Sequence, residues 1–157
     1  MKSLVAYYSK TGNTEKIAKS IAKGLGADLR RIEEINNVSE YGLICVGTPV
    51  HGFAPAKPVK EFLEKISPSP NRKGAAFCTM HAFGDKRALR IVKEKMENKE
   101  VVFLGSFSCK GLSSIFANFG PKIFNKGKPN EDDLKRAESF GKRLLTEAEK
   151  SEIYGKS

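Results

Sequence analysis

The sequence contains no tryptophan, only two histidines and only three cysteines. Cys45, Cys78 and Cys109 lie far apart in apolar, strand-like segments, and no C-x-x-C pair occurs. This pattern excludes a disulfide scaffold and a paired-cysteine redox site, and it is typical of reduced core thiols in the cytoplasm. The two histidines, His51 and His81, have no visible set of companion ligands, so the sequence predicts no metal site.

Long apolar runs are also absent. No stretch approaches the roughly 18 residues that cross a bilayer, and the apolar start at 4–6 continues directly into the polar segment that ends at Lys10. We therefore expect a soluble protein without membrane insertion. With 157 residues, 39% of them hydrophobic, the chain can fill one continuous core, so residues 1–157 are expected to form a single domain.

Acidic residues are scarce relative to basic ones. The chain has 18 Asp and Glu against 28 Lys and Arg, a formal charge of +10 and a pI of about 9.6. This balance favours acidic partners or surfaces, although much of the excess is spread over predicted helices, where a solvated polar face is the ordinary interpretation. No recognition-helix or RNP-type motif accompanies the charge, so nucleic-acid binding is not predicted.

Apolar strand-like segments alternate with amphipathic helix-like segments along the chain. Strands are expected at 2–8, 27–32, 41–47, 74–80 and 101–109, and helices at 14–25, 56–66, 86–98 and 131–148. Strands that are apolar on both faces indicate a parallel sheet covered on both sides through right-handed crossovers. The predicted class is α/β, a three-layer doubly wound fold. The stretches 67–73 and 110–130 are expected to be irregular.

The turn between the first strand and the first helix has the composition of a phosphate site. It consists of Ser9, Lys10, Thr11, Gly12, Asn13 and Thr14. At the start of a helix, unpaired N–H groups and the positive end of the dipole attract a dianion, hydroxyls add donors, and a glycine permits close approach. The alternative is that Asn13 or Thr14 only caps the helix. A cap needs one polar side chain, so the composition favours phosphate.

Two other nucleotide-binding motifs are missing. Neither G-x-x-x-x-G-K-[ST] nor G-x-G-x-x-G occurs in this turn, and Gly24-Leu25-Gly26 follows a helix, where it indicates a helix end. ATP or GTP hydrolysis and a Rossmann-type NAD site therefore lose support.

The segment Ser9 to Thr14 is similar to the FMN-phosphate loop of flavodoxins, S/T-x-T-G-N-T, and all five specified positions match. Residues 46–52, VGTPVHG, resemble the flavodoxin loop after strand three, and residues 127–134 resemble the lead into the last helix of that family. The uninterrupted fifth strand resembles that of short-chain members. The resemblance implies a five-stranded parallel sheet of order 2-1-3-4-5, FMN as the cofactor, and a crevice at the carboxyl ends of strands one and three.

The resemblance also implies that three loops hold the FMN. Its phosphate is expected at Ser9 to Thr14 and its ring between loops 48–56 and 81–86. Ring contacts are expected from Thr48, Pro49, Val50, His51, Gly52, Phe53, Thr79, His81, Phe83 and Gly84. Because tryptophan is absent, the candidates for stacking on the ring are His51, Phe53, His81 and Phe83. Core packing or loop anchoring is an equally ordinary role for each of them alone.

Basic and apolar residues are interleaved in the segment 110–130. Its basic members are Lys110, Lys122, Lys126 and Lys128, and its apolar members are Leu112, Ile115, Phe116, Phe119, Ile123 and Phe124. The segment is expected to cap the crevice, to pack on the sheet edge or to form a homodimer contact. A basic rim around an apolar lid would suit an acidic redox partner or an anionic substrate.

Three functions remain open at this point. The leading hypothesis is an FMN-based electron carrier that serves a redox partner protein and needs no catalytic side chain. The alternative is an FMN-dependent NAD(P)H:quinone-type oxidoreductase with the segment 110–130 as a lid. A third hypothesis is an FMN-binding module that engages another protein or an anionic polymer.

Overall fold

The computed structural model describes residues 1–117 and 120–154. In chain order its elements are β1 (Ser3–Tyr7), α1 (Asn13–Leu25), β2 (Asp28–Arg31), β3 (Leu43–His51), β4 (Ala54–Pro55), α2 (Lys57–Lys65), β5 (Lys73–Met80), α3 (Asp85–Glu97), β6 (Val102–Lys110), β7 (Ser113–Ala117), β8 (Gly120–Phe124) and α4 (Glu131–Tyr154). A 3₁₀ turn at Ile32–Glu34 follows β2. Every strand and helix expected from the sequence is present, with shifted bounds.

Five parallel strands form the main sheet in the order β2-β1-β3-β5-β6. The central strand β1 pairs with β2 on one side and with β3 on the other, so that Val5 lies opposite both Leu29 and Cys45. Counted among the five long strands, this is the order 2-1-3-4-5, and the predicted doubly wound α/β fold is confirmed. The order reverses between β1 and β3, which places a ligand crevice outside the carboxyl ends of these strands.

Helices cover the sheet from both sides, and the side chains of each strand alternate between the two layers. In β1, Val5 and Tyr7 pack in the layer that contains α1 and α4, whereas Leu4 and Ala6 pack in the layer that contains α2 and α3. This double burial explains why β1 is an unbroken apolar run. Burying one such valine or leucine contributes about 1.5–3 kcal/mol.

Close approach of α1 and α4 depends on two glycines. A Cβ atom on Gly24 would clash with the main-chain oxygen of Glu138, and one on Gly141 would clash with that of Ile21. α1 then stops at Gly26, as its sequence predicts. Among the described residues, no helix is long and apolar enough to cross a membrane.

The predicted loop 48–56 is partly wrong, because β3 continues through Thr48, Pro49, Val50 and His51. The chain then turns within two residues and returns as β4, which pairs antiparallel with the end of β3. The proline and glycine signals in this segment therefore mark a short hairpin at the end of the strand. They do not mark an irregular loop.

The expectation of irregular structure across 110–130 is also wrong in part. β7 and β8 form an antiparallel hairpin, a two-stranded sheet separate from the main one. β6 runs uninterrupted to Lys110, as the short-chain resemblance implies. Phe119 lies outside the described residues, as do the side chains of Ile115, Phe116, Lys122, Ile123 and Phe124, so their packing stays a prediction.

Candidate functional site

A cleft of about 360 Å³ opens at the carboxyl end of the sheet, beside the reversal of strand order. Its walls come from the turn after β1, the ends of β3 and β5, and the segment after β6. The lining residues are Lys10, Thr11, Asn13, Thr14, Pro49, Val50, His51, Thr79, Met80, His81, Gly111 and Leu112. Small-molecule pockets span about 300–1,000 Å³, so the cleft is large enough for a ligand of mononucleotide size.

The turn after β1 presents the start of α1 to the cleft. Gly12 precedes the helix with a φ of 93°, and its N–H donates to Ser9 Oγ over 3.1 Å. The first helical hydrogen bond runs from the N–H of Lys16 to the oxygen of Gly12, at 3.1 Å. The N–H groups of 13–15 therefore precede the helical ladder and lie at the positive end of α1, where an anion binds favourably.

The polar side chains of this turn tie it to the rest of the cleft. Asn13 Nδ2 donates to the main-chain oxygen of Leu112 at 2.7 Å and to Thr11 Oγ1 at 3.3 Å. Thr14 Oγ1 shares a 2.7 Å hydrogen bond with Thr79 Oγ1 in the interior. Within the part of the chain that the structure describes, no side chain caps the start of α1. The interpretation of Asn13 or Thr14 as a simple helix cap is therefore wrong.

A guanidinium group lies behind the same turn. Arg31, at the end of β2, donates from Nη2 to the main-chain oxygen of Ser9 at 3.0 Å. The guanidinium also lies over the ring of Tyr7, 5.6 Å from its centroid. Arg31 was not predicted from the sequence. Its position after β2, next to β1 in the sheet, is the signal that could have found it, because neighbouring parallel strands end at the same edge.

The end of β3 reaches the cleft as a hairpin with a two-residue turn. Gly52 and Phe53 occupy this turn with φ values of 55° and 63°. Two positive φ angles are the mark of type I′ turns, which favour two-residue hairpins, but they are unfavourable for a bulky residue. Thr48 anchors the strand from within, since its buried Oγ1 accepts the N–H of Ala56 over 2.9 Å. Strain at Phe53 is thus held at the edge of the cleft.

The loop after β5 packs against this hairpin and is held in turn by a residue after β8. A Cβ atom on Gly84 would lie 2.9 Å from Phe53 Cα, so the contact requires glycine. The main-chain oxygen of His81 accepts a 2.6 Å hydrogen bond from Asn125 Nδ2, which also donates to the oxygen of Gly111 at 3.2 Å. Asn125 therefore fixes the distance between the loops that follow β5 and β6.

Residues 4–120 match the protein family described as Flavodoxin domain. The chain belongs to this family. The match includes the turn after β1, the β3–β4 hairpin, the loop after β5 and the cleft residues after β6, so all four walls of the cleft fall within the flavodoxin domain.

Two relatives extend the similarity over nearly the whole chain. One is an uncharacterized protein of Methanocaldococcus jannaschii, 38% identical over 151 residues, which cover 92% of this chain and 99% of that protein. The other is the flavodoxin-like domain-containing protein BilS of Clostridioides difficile, 30% identical over 164 residues, which cover 98% of this chain and 91% of that protein.

Solved structures agree on the fold. A flavodoxin from the domain Archaea matches with a TM-score of 0.71 at 19% identity, covering 95% of this chain and 99% of that one. A flavoprotein from Lactobacillus acidophilus, determined in complex with FMN, matches with a TM-score of 0.57 at 21% identity, covering 68% of this chain and 92% of that one. At these identities the similarity establishes the flavodoxin fold alone.

The flavodoxin-domain cleft brings together more than half of the residues predicted for the site. Those that line it are Lys10, Thr11, Asn13, Thr14, Pro49, Val50, His51, Thr79 and His81. The others surround it: Ser9 and Gly12 in the turn after β1, Thr48, Gly52 and Phe53 in the hairpin, and Phe83 and Gly84 in the loop after β5. The side chains of Phe53 and Phe83 are 54% and 77% exposed and do not line the cleft.

Five residues of the site were not named as cofactor contacts from the sequence. Met80, Gly111 and Leu112 line the cleft, Arg31 holds the turn after β1, and Asn125 braces two of the loops. Gly111 lets Asn13 approach, because a Cβ atom here would lie 2.7 Å from Asn13 Nδ2. A glycine directly after a strand was the available signal. Its contact partner, 98 positions earlier in the numbering, could not be identified without the fold.

The electrostatics of the cleft favour an anion. Its lining includes Lys10, His51 and His81 and no carboxylate. Burial, followed by the nearby positive charges of Lys10 and His81, lowers the pKa of His51. His51 is therefore held in its neutral form at neutral pH, while the Lys10 ammonium and the positive end of α1 supply the potential that attracts a phosphate.

The donor set fits both ends of FMN. At one end, the N–H groups of 13–15, the Thr11 hydroxyl and the Lys10 ammonium match a phosphate dianion. At the other end, Pro49, Met80 and Leu112 offer apolar surface to a flat ring. A polar pocket joined to an apolar slot is the arrangement that this cofactor requires.

The cysteines lie outside this chemistry. Burial raises the pKa of Cys45 and of Cys78, and burial together with the nearby Asp133 carboxylate raises the pKa of Cys109 to about 12. Buried, protonated thiols are poor nucleophiles and poor metal ligands. Among the described residues, no group of three His, Cys, Asp or Glu side chains is arranged to hold a metal ion.

Proposed function

We propose that this chain binds FMN in the cleft and uses it to carry electrons to a partner protein. The observation that carries the proposal is the continuity of the cleft from the turn at the start of α1 to the apolar ends of β3 and β5. The FMN complex of the Lactobacillus acidophilus flavoprotein, which shares the fold, supports the choice of ligand. FMN supplies reversible uptake of one or two electrons when it is bound.

The chain's own residues would bind and orient the cofactor. The N–H groups of 13–15, Thr11 and Lys10 would hold the phosphate. Asn13 would keep the turn in register with Leu112 through its 2.7 Å hydrogen bond. The ends of β3 and β5, from Pro49 to His51 and from Thr79 to His81, would flank the ring. No side chain in this set has to exchange a proton for electrons to pass, so the proposal assigns no catalytic residue.

An FMN-dependent NAD(P)H:quinone-type oxidoreductase is the second candidate. Lys10, His51 and His81 lie together at the cleft, and such a group would also attract the phosphates of a dinucleotide. The β7–β8 hairpin follows the cleft residue Leu112 directly and would then serve as the lid. The carrier remains the leading proposal because it needs only the one binding site described above.

A cytoplasmic place of action is part of the proposal. The three cysteines are free and buried, and Cys78 and Cys109 lie on neighbouring strands without forming a disulfide. Reduced thiols of this kind are usual in reducing compartments.

Flavin binding and reduction test the proposal. The protein is mixed with FMN and, separately, with riboflavin, which lacks the phosphate, and the visible spectrum and affinity are measured for each. We expect tight binding of FMN and weaker binding of riboflavin, because the phosphate supplies the charged contacts. Anaerobic bleaching by dithionite but not by NADPH would support the carrier, and rapid bleaching by NADPH would support the oxidoreductase. Absence of FMN uptake would refute both.

A further inference from the structure

Two lysines at the amino end of the sheet form ion pairs with carboxylates. Lys2 Nζ lies 2.6 Å from Glu40 Oε2, and Lys95 Nζ lies 2.8 Å from Glu64 Oε1. Both pairs are formed by side chains that are far apart in sequence and meet at this end of the fold. The positive charges of Lys2 and Lys95 are therefore neutralised locally.

Basic residues around the cleft are not matched in this way. Lys10, Lys110 and Lys126 are exposed, and among the residues that the structure describes none of the three has an ion-pair partner. Lys86 and Arg87 are exposed in the first turn of α3, where the helix dipole disfavours positive charge. An arrangement that costs stability in this way indicates a use for the charge.

The acidic residues at this end are mostly engaged within the fold. Asp85 Oδ2 accepts the hydroxyl of Ser108 at 2.9 Å, and the buried Asp133 binds Lys128 at 3.0 Å. Glu131 and Asp132 are the exposed acids at the start of α4. Within the described chain, the lining of the cleft itself carries Lys10 and no carboxylate, so the potential at the cleft is positive.

Exposed apolar side chains lie around the cleft. Phe53 is 54% exposed, Phe83 77% and Leu112 43%. Phe53 and Phe83 belong to loops that touch at Gly84, and Leu112 lines the cleft itself. Apolar residues inside a charged rim are the usual anatomy of a protein-docking surface.

We propose that an acidic protein docks on this surface, the cleft face, formed by Phe53, Phe83, Leu112, Lys110 and Lys126. The inference rests on the proposed function and names the chemistry of its partner. Carboxylates of the partner meet Lys110 and Lys126, and its redox centre comes over the exposed aromatic pair. FMN, when bound and reduced, would supply one electron, and an oxidised centre of the partner, such as Fe(III), would accept it to become Fe(II).

Two haem proteins of opposite charge serve as probes: cytochrome b5, which is acidic, and cytochrome c, which is basic. The FMN-loaded protein is reduced anaerobically and mixed with each oxidised cytochrome in a stopped-flow instrument. We expect the rate constant for cytochrome b5 to fall about tenfold between about 20 and about 300 mM salt, and that for cytochrome c to rise or stay level.

Matched charge reversals locate the surface. Lys110→Glu with Lys126→Glu is expected to slow the reaction with cytochrome b5 about tenfold at low salt. Lys65→Glu with Lys73→Glu makes the same change of charge at the amino end and is expected to slow it less than about twofold. Backbone amide NMR shifts caused by oxidised cytochrome b5 provide a readout without electron transfer, and they should cluster at 53, 83, 110–112 and 126.

The outcomes distinguish failure of the proposed function from failure of the docking inference. Absence of FMN uptake overturns the proposed function and this inference with it. If FMN is taken up and reduced but the rate constants do not depend on salt, the docking inference alone is overturned. The same holds if the two double variants slow electron transfer to cytochrome b5 equally. A third outcome would favour nucleic acid as the partner. The protein would retain a short DNA duplex at about 150 mM salt and lose it in Lys110→Glu with Lys126→Glu, while the rate of electron transfer to cytochrome b5 stays unchanged. This result would overturn the docking inference.

Discussion

The carboxyl end of the sheet opens into a cleft of about 360 Å³, whereas the amino end has a smaller pocket of about 180 Å³ and is held together by hydrogen bonds within the protein. Arg72 makes three of these hydrogen bonds. Its guanidinium is buried and donates to the main-chain oxygens of Tyr41 at 3.1 Å, Ser67 at 3.2 Å and Val38 at 3.3 Å. Burial lowers the pKa of Arg72, which nevertheless stays charged because guanidinium is so weak an acid. One side chain therefore joins the segment 38–41 to the loop that precedes β5.

The carboxyl end concentrates residues with a positive φ instead. Eight described residues have a positive φ, and six of them lie at this end: Gly12, Gly52, Phe53, Gly84, Asn125 and Gly127. The other two, Gly26 and Glu100, lie at the amino end. Residues with positive φ therefore concentrate where a ligand and a partner are expected. One end thus serves stability and the other is shaped for binding.

Replacing Arg72 tests the stabilising role of the amino end. Arg72→Ala removes the guanidinium donor from the main-chain oxygens of Tyr41 and Ser67 and one of the two donors of the Val38 oxygen, and it opens a cavity. We therefore expect the free energy of unfolding to fall by about 2–4 kcal/mol. Arg90→Ala, which removes an exposed arginine from α3, should cost less than about 0.5 kcal/mol. Urea denaturation of both variants measures the difference. Equal losses would remove the contrast between the two ends.

Replacing Thr11 tests the binding role of the carboxyl end. Thr11→Ala removes a hydroxyl at the proposed phosphate, so FMN affinity should fall by about 1.5–3 kcal/mol, or roughly 10–100-fold. The unfolding free energy of the protein without FMN should change little, because Thr11 is exposed. Thr14 is less suitable for this test, since its hydroxyl bonds Thr79 in the interior and its removal would also affect folding.

Calorimetric titration with FMN and with riboflavin measures the effect of Thr11→Ala. Thr146→Ala, at an exposed site on α4, is the matched control and should leave both affinities unchanged. An equal loss for FMN and riboflavin would contradict the assignment of Thr11 to the phosphate.

The features that the sequence predicts well are local in the chain. The turn from Ser9 to Thr14 carries its chemistry in six consecutive residues, and each strand of the sheet is a continuous apolar run because both of its faces are buried. The position of the cleft then follows from the strand order and the carboxyl-end rule. Neither step requires a contact between distant side chains.

The features that the sequence does not predict depend on distant contacts. Asn125 reaches the oxygen of His81 across 44 positions, and Arg31 reaches that of Ser9 across 22. Both are polar residues in polar surroundings, so nothing in their neighbours identifies a partner. Pro49 was misassigned for another reason: its residue type favours a loop, but pairing with β5 keeps it in strand β3. Tertiary pairing outweighs local preference at such positions.

Replacing Phe53 tests the effect of its positive φ on stability. Asparagine tolerates a positive φ better than phenylalanine, so Phe53→Asn should raise the free energy of unfolding by about 0.5–1 kcal/mol. Glu100→Asn, at a φ of 60° at the amino end, should give a similar gain. Only Phe53→Asn should also slow electron transfer to cytochrome b5, because only Phe53 lies on the cleft face. A fall in stability for Phe53→Asn would show that its side-chain contacts outweigh the strain.

The smallest expected effect concerns the charge of His51. Burial, followed by the charges of Lys10 and His81, lowers its pKa in the folded protein, whereas in the unfolded chain it titrates near its ordinary value of about 6.5. As pH falls through that value the unfolded state takes up the proton first, so the unfolding free energy decreases until the pH passes the folded pKa. His51→Gln should flatten this part of the stability profile.

Lys10→Gln should raise the pKa of His51 towards its ordinary value, because one of the neighbouring positive charges is lost. NMR titration of the His51 ring protons, with urea denaturation at about pH 5.5 and about pH 7.5, measures both effects. A pKa for His51 at or above the ordinary histidine value in the protein without FMN would contradict the electrostatic description of the cleft. The open end would then lack the net positive field that the proposed phosphate site and the docking of an acidic partner both require.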